Sequence, residues 1–280
     1  MPSQDQAAAL RKALVAGLVE RGVVHSANVE AALRAVPRHL FTPWLSPEEA
    51  YADQAWLLPE TTPDAPATIS QPTVVGLMLE ACRLAPGQRV LEIGAGSGYN
   101  AALMAHLVGE HGQVVTVDIE APLVEAARGR LAEYRNVQVV HGDGGHGFPA
   151  GAPYDRIVAT VGAWDLPPAW REQLAPDGQL ILPLHLGGEP QDHELIAFRR
   201  EGHLLVGHGI CSVQMVLMRG DYAGHGRPVP IQKGQDWQGT TADNLLVKVY
   251  PHGANHQPQP HEVIIDKPSA RLVLAHRQAG

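Results

Sequence analysis

Cysteine is scarce: Cys82 and Cys211 are the only two in 280 residues. Two thiols exclude a disulfide framework and any cysteine-rich zinc module. Charge is sparse too and tilts acidic, with 29 Asp and Glu against 21 Lys and Arg, a formal −8. That balance argues against a general nucleic-acid binder, which needs clustered Lys and Arg to neutralise phosphate. It argues equally against a protein held on anionic membranes. No apolar run approaches the roughly 18 residues of a membrane-spanning helix. The N-terminal MPSQDQAAALRKALV lacks the basic-then-apolar pattern of a signal peptide, so a cytoplasmic location is expected. What the chain does have is apolar substance: 45% hydrophobic residues suffice for a sizeable core. Its length allows one elaborate domain or two modest ones at about 150 residues each.

Two helices are expected near the start, over 5–20 and 28–36, the second ended by Pro37. A proline-broken connector follows, and 59–70 reads as loop. A helix is expected at 72–83, with Pro72 suited to its first turn. Short apolar runs at 89–93, 113–118, 137–140 and 155–160 then alternate with helical stretches at 99–109 and 121–133. Such alternation builds βαβ units and a parallel sheet. Beyond 178 four strand-like runs follow, QLILPL, HELIAFRR, HLLVGHG and CSVQMVLM, which suit antiparallel strands closing one edge of that sheet. The last sixty residues are rich in Gly, Pro, His and Gln, with apolar runs at 244–250 and 262–275. The expected organisation is an N-terminal helical segment with an active-site loop (1–70), a Rossmann-like core (71–219) and a C-terminal extension (220–280) concerned with substrate recognition.

The strongest local signal is VLEIGAGSGYN at 90–100. A buried strand runs into Gly94, Gly96 and Gly98, and a helix follows. Glycines let the chain turn sharply and let a ligand approach the backbone. A dinucleotide fold wants G-x-G-x-x-G; here the third glycine comes one residue early and Glu92 precedes the loop. That combination suits S-adenosyl-L-methionine, a cation that tolerates a nearby carboxylate. Asp118 ends the next strand, where a carboxylate can accept from both ribose hydroxyls. Asp143, in HGDGG after the third strand, can hold an adenine amino group. Taken singly, Asp118 could equally cap a helix and Asp143 a turn. Three acids at the ends of three successive strands, where open α/β sheets bind ligands, are hard to ascribe to accident.

The residues then resemble a known family. From about Val29 to Arg219 the chain is similar to protein-L-isoaspartate O-methyltransferases, through VPRHLF (36–41), AYAD (50–53), TISQP (68–72), LEIGAGSGYNAA (91–102), GDGGHGFP (142–149), APYDRIVATVGA (152–163), LPPAW (166–170), QLAPDGQLILPL (173–184) and CSVQMVLMRG (211–220). The resemblance implies an α/β, Rossmann-like methyltransferase fold that uses S-adenosyl-L-methionine to esterify a peptide-bound carboxyl group. It implies that Ser70 is the active-site serine. It assigns Thr68, Ile69, Gly94, Gly96, Asp118, Asp143 and Gly144 to the cofactor, alongside Glu92 and Gly98 of the loop. Gln71 and Trp164 are the candidate substrate contacts. Repair enzymes of this family are expected to end near Arg219, and Trp164 and Asp165 stand where simpler residues are usual. These two departures favour a branch that methylates an ordinary aspartate in a ribosomally made peptide, leading to an aspartimide. Repair of isoaspartyl proteins is the alternative.

A carboxylate nucleophile, with a reference pKa of about 3.9, needs no general base, so Ser70 is expected to orient the acceptor. Rivals are a methyltransferase for a small metabolite or a nucleic-acid base, and a non-catalytic cofactor- or peptide-binding module. The base-modifying reading suffers from the charge and from the lack of an Asn/Asp-Pro-Pro-aromatic motif near DRIVATVGA. His252, His256 and His261 lack the helical i, i+4 spacing of a metal pair and read as a polar loop, so no metal is expected. His141 and His146 flank Asp143 and could border the cofactor. The tryptophans at 44, 56, 170 and 237 are expected in the core, and Trp164 beside the cleft.

Overall fold

A computed structural model describes residues 4–187, 189, 192–202, 204–224, 231–235, 245–251 and 254–276. Trp237 and His252, named above, lie outside the described residues. The chain divides into two compact units, Met1–Gly142 and Asp143–Gly280.

In the first unit, helices α1 (Gln4–Glu20), α2 (Ala27–Ala35) and α3 (Pro47–Ala50) precede a two-stranded ribbon, β1 (Trp56–Leu57) and β2 (Thr68–Ile69). Ser46 and Glu49 cap α3 reciprocally, which satisfies two backbone donors of its first turn. The loop expected over 59–70 therefore ends in a strand, because Trp56 pairs with Ile69 and Leu57 with Thr68. Helix α4 (Pro72–Cys82) follows, then β3 (Arg89–Ile93), α5 (Tyr99–Val108), β4 (Gln113–Asp118), α6 (Ala121–Arg130) and β5 (Val137–His141). The strands are parallel, β3 beside β4 and β4 beside β5. Val90, Leu91, Val114, Val115 and Val117 are buried, as are Ala101, Ala102, Leu103 and Met104 of α5. An apolar run buried on both faces is what a parallel strand covered by helices requires.

The second unit holds β6 (Tyr154–Ala159), α7 (Pro168–Gln173), β7 (Leu174–Leu184), β8 (Asp192–Glu201), β9 (Leu204–Gln214), β10 (Ile231–Lys233), β11 (Leu245–Pro251), β12 (Val263–Asp266) and β13 (Ala270–His276). The spatial order is β6-β7-β8-β9-β11-β13-β12-β10. Strands β6 and β7 are parallel, and every later neighbour is antiparallel. The runs HLLVGHG and CSVQ form one strand rather than two: β9 continues through a bulge, where Leu195 faces Cys211 and Ile196 faces Gly209. A bulge inserts one residue without breaking the ladder. Strands β10 to β13 continue this sheet, with Val247, Val249, Ile264, Ile265, Leu272 and Val273 all buried.

Candidate active site

The glycine loop is shaped by left-handed backbone. Gly94, Gly96 and Gly98 have φ of 99°, 50° and 86°, a region L side chains rarely enter. Gly98 starts α5, and a Cβ there would meet Leu131 Cδ1 at 2.9 Å. Gly96 donates its N–H to Asp118 Oδ2 at 3.0 Å, and Glu120 N–H donates to Oδ1 at 3.1 Å. Asp118 is thus oriented at the carboxyl end of β4. A carboxylate at this strand end is the group that paired ribose hydroxyls need.

Glu92 lies one layer deeper. It is fully buried, with Asn100 Nδ2 donating to it at 2.8 Å and Thr116 Oγ1 at 2.6 Å. Burial, with a smaller contribution from the nearby Asp118 charge, pushes its carboxyl up to about 7. It braces the loop from beneath instead of lining a ligand surface as the sequence suggested.

The TISQP segment adjoins the same loop. A Cβ on Gly96 would lie 3.7 Å from the Thr68 carbonyl oxygen, while the Ile69 side chain is buried. Two residues that sequence reasoning did not single out hold this segment. Arg38 is fully buried and donates from Nε to the Ala50 carbonyl and from Nη2 to the Ser70 carbonyl, both at 2.9 Å. Its guanidinium lies 5.1 Å from the centre of the Tyr99 ring, and burial lowers its pKa to about 10. Asp53 accepts from Thr73 N–H at 2.9 Å, from Thr73 Oγ1 at 2.6 Å and from Arg21 at 2.7 Å. Its carbonyl accepts from Gln71 Nε2 at 3.0 Å, so Gln71 belongs to the support of the segment. The only signal for either residue was its place in VPRHLF and AYAD.

In the second unit, Asp143 caps a short 3-10 turn: its Oδ1 accepts from Gly145 N–H at 2.8 Å. Its Oδ2 accepts from Asp221 N–H at 2.7 Å. The Gly144 carbonyl accepts from Trp170 Nε1 at 2.8 Å. His146 Nε2 lies 2.8 Å from Asp221 Oδ2. Trp164, expected beside a cleft, is instead 4% exposed. Lys267 Nζ sits 4.6 Å from its ring centre, and a Cβ on Gly224 would run into the ring. Asp165 is buried beside it, accepting from Leu166 N–H at 2.8 Å and Ser269 N–H at 3.0 Å. Covered in this way, Trp164 offers no open face to a substrate. Cys82 is buried and Cys211 half-buried, as core thiols are. His256 bonds Glu262 at 3.0 Å and stacks on Tyr250.

A glycine loop after the first parallel strand and an oriented carboxylate ending the next are the marks of a Rossmann-like nucleotide-binding fold. Residues 9–218 match the family described as protein-L-isoaspartate(D-aspartate) O-methyltransferase. The chain is 40% identical over 215 residues to a protein-L-isoaspartate O-methyltransferase of Roseiflexus sp. (strain RS-1), covering 76% of this chain and 93% of that one. It is 47% identical over 155 residues to the enzyme of that name from Methanococcoides burtonii, covering 55% and 74%. A solved protein-L-isoaspartate O-methyltransferase superposes with a TM-score of 0.71 at 27% identity, covering 96% of this chain and 88% of that one. A Plasmodium falciparum structure described as a putative enzyme of the same name, in complex with S-adenosyl-L-homocysteine, shares the fold with a TM-score of 0.64 at 21% identity, over 75% and 98%. The chain belongs to the protein-L-isoaspartate(D-aspartate) O-methyltransferase family. It is an S-adenosyl-L-methionine-dependent carboxyl methyltransferase. A match of 215 residues covers 93% of the Roseiflexus enzyme, in line with relatives that stop near Arg219, whereas the solved enzyme of that name superposes on 96% of this chain and runs further. Among the described residues no helix is long and apolar enough to cross a membrane.

Proposed function

We propose that this protein methylates the free carboxyl group of an isoaspartyl residue in damaged proteins or peptides, the first step of their repair. The observation that carries this reading is the likeness to a solved enzyme of that name over nearly the whole chain, residues beyond 219 included. The residues present fit the methyl donor: left-handed glycines open the backbone at 94–98, and the Gly96 N–H orients the Asp118 carboxylate. Thr68, Ile69, Gly94, Gly96, Gly98, Asp118, Asp143 and Gly144 would hold it. When bound, S-adenosyl-L-methionine supplies an electrophilic methyl group on a cationic sulfur.

The protein's own contribution is positional. The acceptor is already ionised at neutral pH, so no side chain has to remove a proton. Ser70 donates a hydrogen bond that orients the acceptor carboxylate, and Arg38 fixes the Ser70 backbone. Holding oxygen and methyl at about 3–3.5 Å is worth effective molarities of roughly 10⁵–10⁸ M. The resulting methyl ester carries a far better leaving group than the carboxylate, so the next backbone nitrogen attacks its carbonyl carbon and closes a succinimide unaided, the C–O bond breaking as methanol departs with the nitrogen's proton.

A peptide-tailoring role, esterifying an L-aspartate to form an aspartimide, has less support. It drew on the extension, which a protein-L-isoaspartate O-methyltransferase of known structure also covers, and on Trp164 and Asp165, which pack against Lys267 and Ser269. The deciding experiment offers a generic isoaspartyl peptide and its L-aspartyl twin, following methyl addition and water loss by mass spectrometry. Methylation of the isoaspartyl form alone is expected; methylation of the L-aspartyl form alone would overturn the repair reading.

A further inference from the structure

Within the first unit, the end of α6 touches two parts of the site. Leu131, just past the helix, lies against the glycine loop: a Cβ on Gly98 would meet Leu131 Cδ1 at 2.9 Å. Arg130, the last residue of the helix, reaches the hairpin formed by β1 and β2. Its Nη2 donates to Glu60 Oε1. The hairpin ladder runs from beside that contact towards Ser70: Leu58 N–H donates to the Ala67 carbonyl at 2.9 Å, Leu57 pairs with Thr68, and Trp56 pairs with Ile69. Leu58 is buried, its Cδ1 3.7 Å from where a Cβ on Gly96 would stand. The glycine loop and the hairpin that leads to Ser70 are thus both tied to two consecutive residues at one helix end.

The Arg130–Glu60 pair is poorly built for stability. The two side chains are only 13% and 18% exposed, and the guanidinium lies 5.1 Å from the centre of the Trp44 ring. Yet Arg130 Nη1 and Glu60 Oε2 are buried with no hydrogen-bond partner among the described residues. A buried ion pair left half satisfied adds little to a fold, so stability does not account for it. We propose that Arg130 is a positioning residue for methyl transfer: through Glu60 it sets the hairpin, and with it Ser70, in register with the glycine loop. This rests on the function proposed above, in which Ser70 orients the acceptor. Arg38 holds the segment at the Ser70 carbonyl, and Arg130 holds it where the chain leaves β1. A misplacement of about 1 Å between reacting groups costs on the order of a hundredfold in rate, so a hairpin held at one end only transfers methyl slowly.

The test measures single-turnover methyl transfer to an isoaspartyl peptide by quenched flow, with donor and peptide saturating, beside the melting temperature of each variant. Arg130→Ala and Glu60→Ala should each slow transfer by about tenfold or more. Each should also melt below the wild type, because it leaves one buried charge unpaired. The double variant Glu60→Ala/Arg130→Ala removes both charges and should melt close to the wild type, yet transfer methyl as slowly as the single variants. That separation of rate from stability is what a merely structural pair would not give. Recovery of the rate together with the melting temperature in the double variant would overturn the proposal, as would the full rate in either folded single variant. Should Arg130→Ala fail to fold, Glu60→Ala and the double variant decide. A wild-type protein that methylates no isoaspartyl peptide would refute the proposed function instead, and the same comparison on the L-aspartyl peptide would then decide the role of Arg130.

Discussion

Replacing Glu92 with glutamine should make the protein more stable at alkaline pH and change little in mild acid. Glu92 is fully buried under the glycine loop, and burial raises its carboxyl from 4.5 to about 7. Between those two values the folded state holds a proton that the unfolded chain has released. Stability therefore falls as pH rises through this window, and the cost is present in full above it. A displacement of that size corresponds to about 3 kcal/mol at 1.36 kcal/mol per pKa unit. Glutamine is nearly isosteric. Its oxygen can accept from Asn100 and its amide can donate to the Thr116 hydroxyl, so both hydrogen bonds survive in altered polarity. Urea unfolding of wild type and Glu92→Gln, followed by circular dichroism from pH 5 to 8.5, measures the difference directly. The variant's advantage should open between pH 5 and 7 and level off above about 7.5, reaching a few kcal/mol at most. A difference that does not change with pH would refute the reasoning, since it would mean that Glu92 is already ionised at little cost in the folded state.

Asp118→Ala should weaken S-adenosylhomocysteine binding by about 1.5–3 kcal/mol, the value of a lost hydrogen bond to a charged group; unchanged affinity by calorimetry would remove Asp118 from the nucleoside site. Ser70→Ala should lower kcat for an isoaspartyl peptide while leaving cofactor affinity nearly intact. A fully active variant would make that serine structural only.

The parts of the fold that could be read in advance are those whose cause is local. The strands at 89–93 and 113–118 are short apolar runs buried on both faces, and nothing outside the run is needed to recognise them. The same holds for the glycine loop, because the left-handed backbone that demands glycine is a property of the loop itself. Arg38 and Asp53 escaped notice for the converse reason. An arginine beside a proline carries no sign that its guanidinium will be buried, and its partner at Ser70 lies 32 residues away. Glu92 shows how a correct pattern can yield the wrong role. The acid before the loop was recognisable, but its inward direction is set by Asn100 and Thr116, one on the next helix and the other on the neighbouring strand.

Trp164 was placed wrongly, and the physical reason lies in the last sixty residues. An indole next to an aspartate in a proline-flanked loop looks like a surface feature as long as its neighbours in sequence are its only known neighbours. Its actual neighbours are Gly224 and Lys267, supplied by the segment beyond 219. That segment has strands that pair out of sequence order, β11 inserting between β9 and β13, a topology no periodicity reveals. With β11 paired to the edge of β9, the same segment supplies Gly224 and Lys267 against the indole, which is buried. Trp164 and Asp165 are therefore accounted for by packing against the extension, and a distinctive substrate is not needed to explain them. The chain itself supplies a lysine and a main-chain N–H to meet the pair. What specificity the enzyme has is better sought where Ser70 is held, on a segment fixed by a buried arginine and an aspartate.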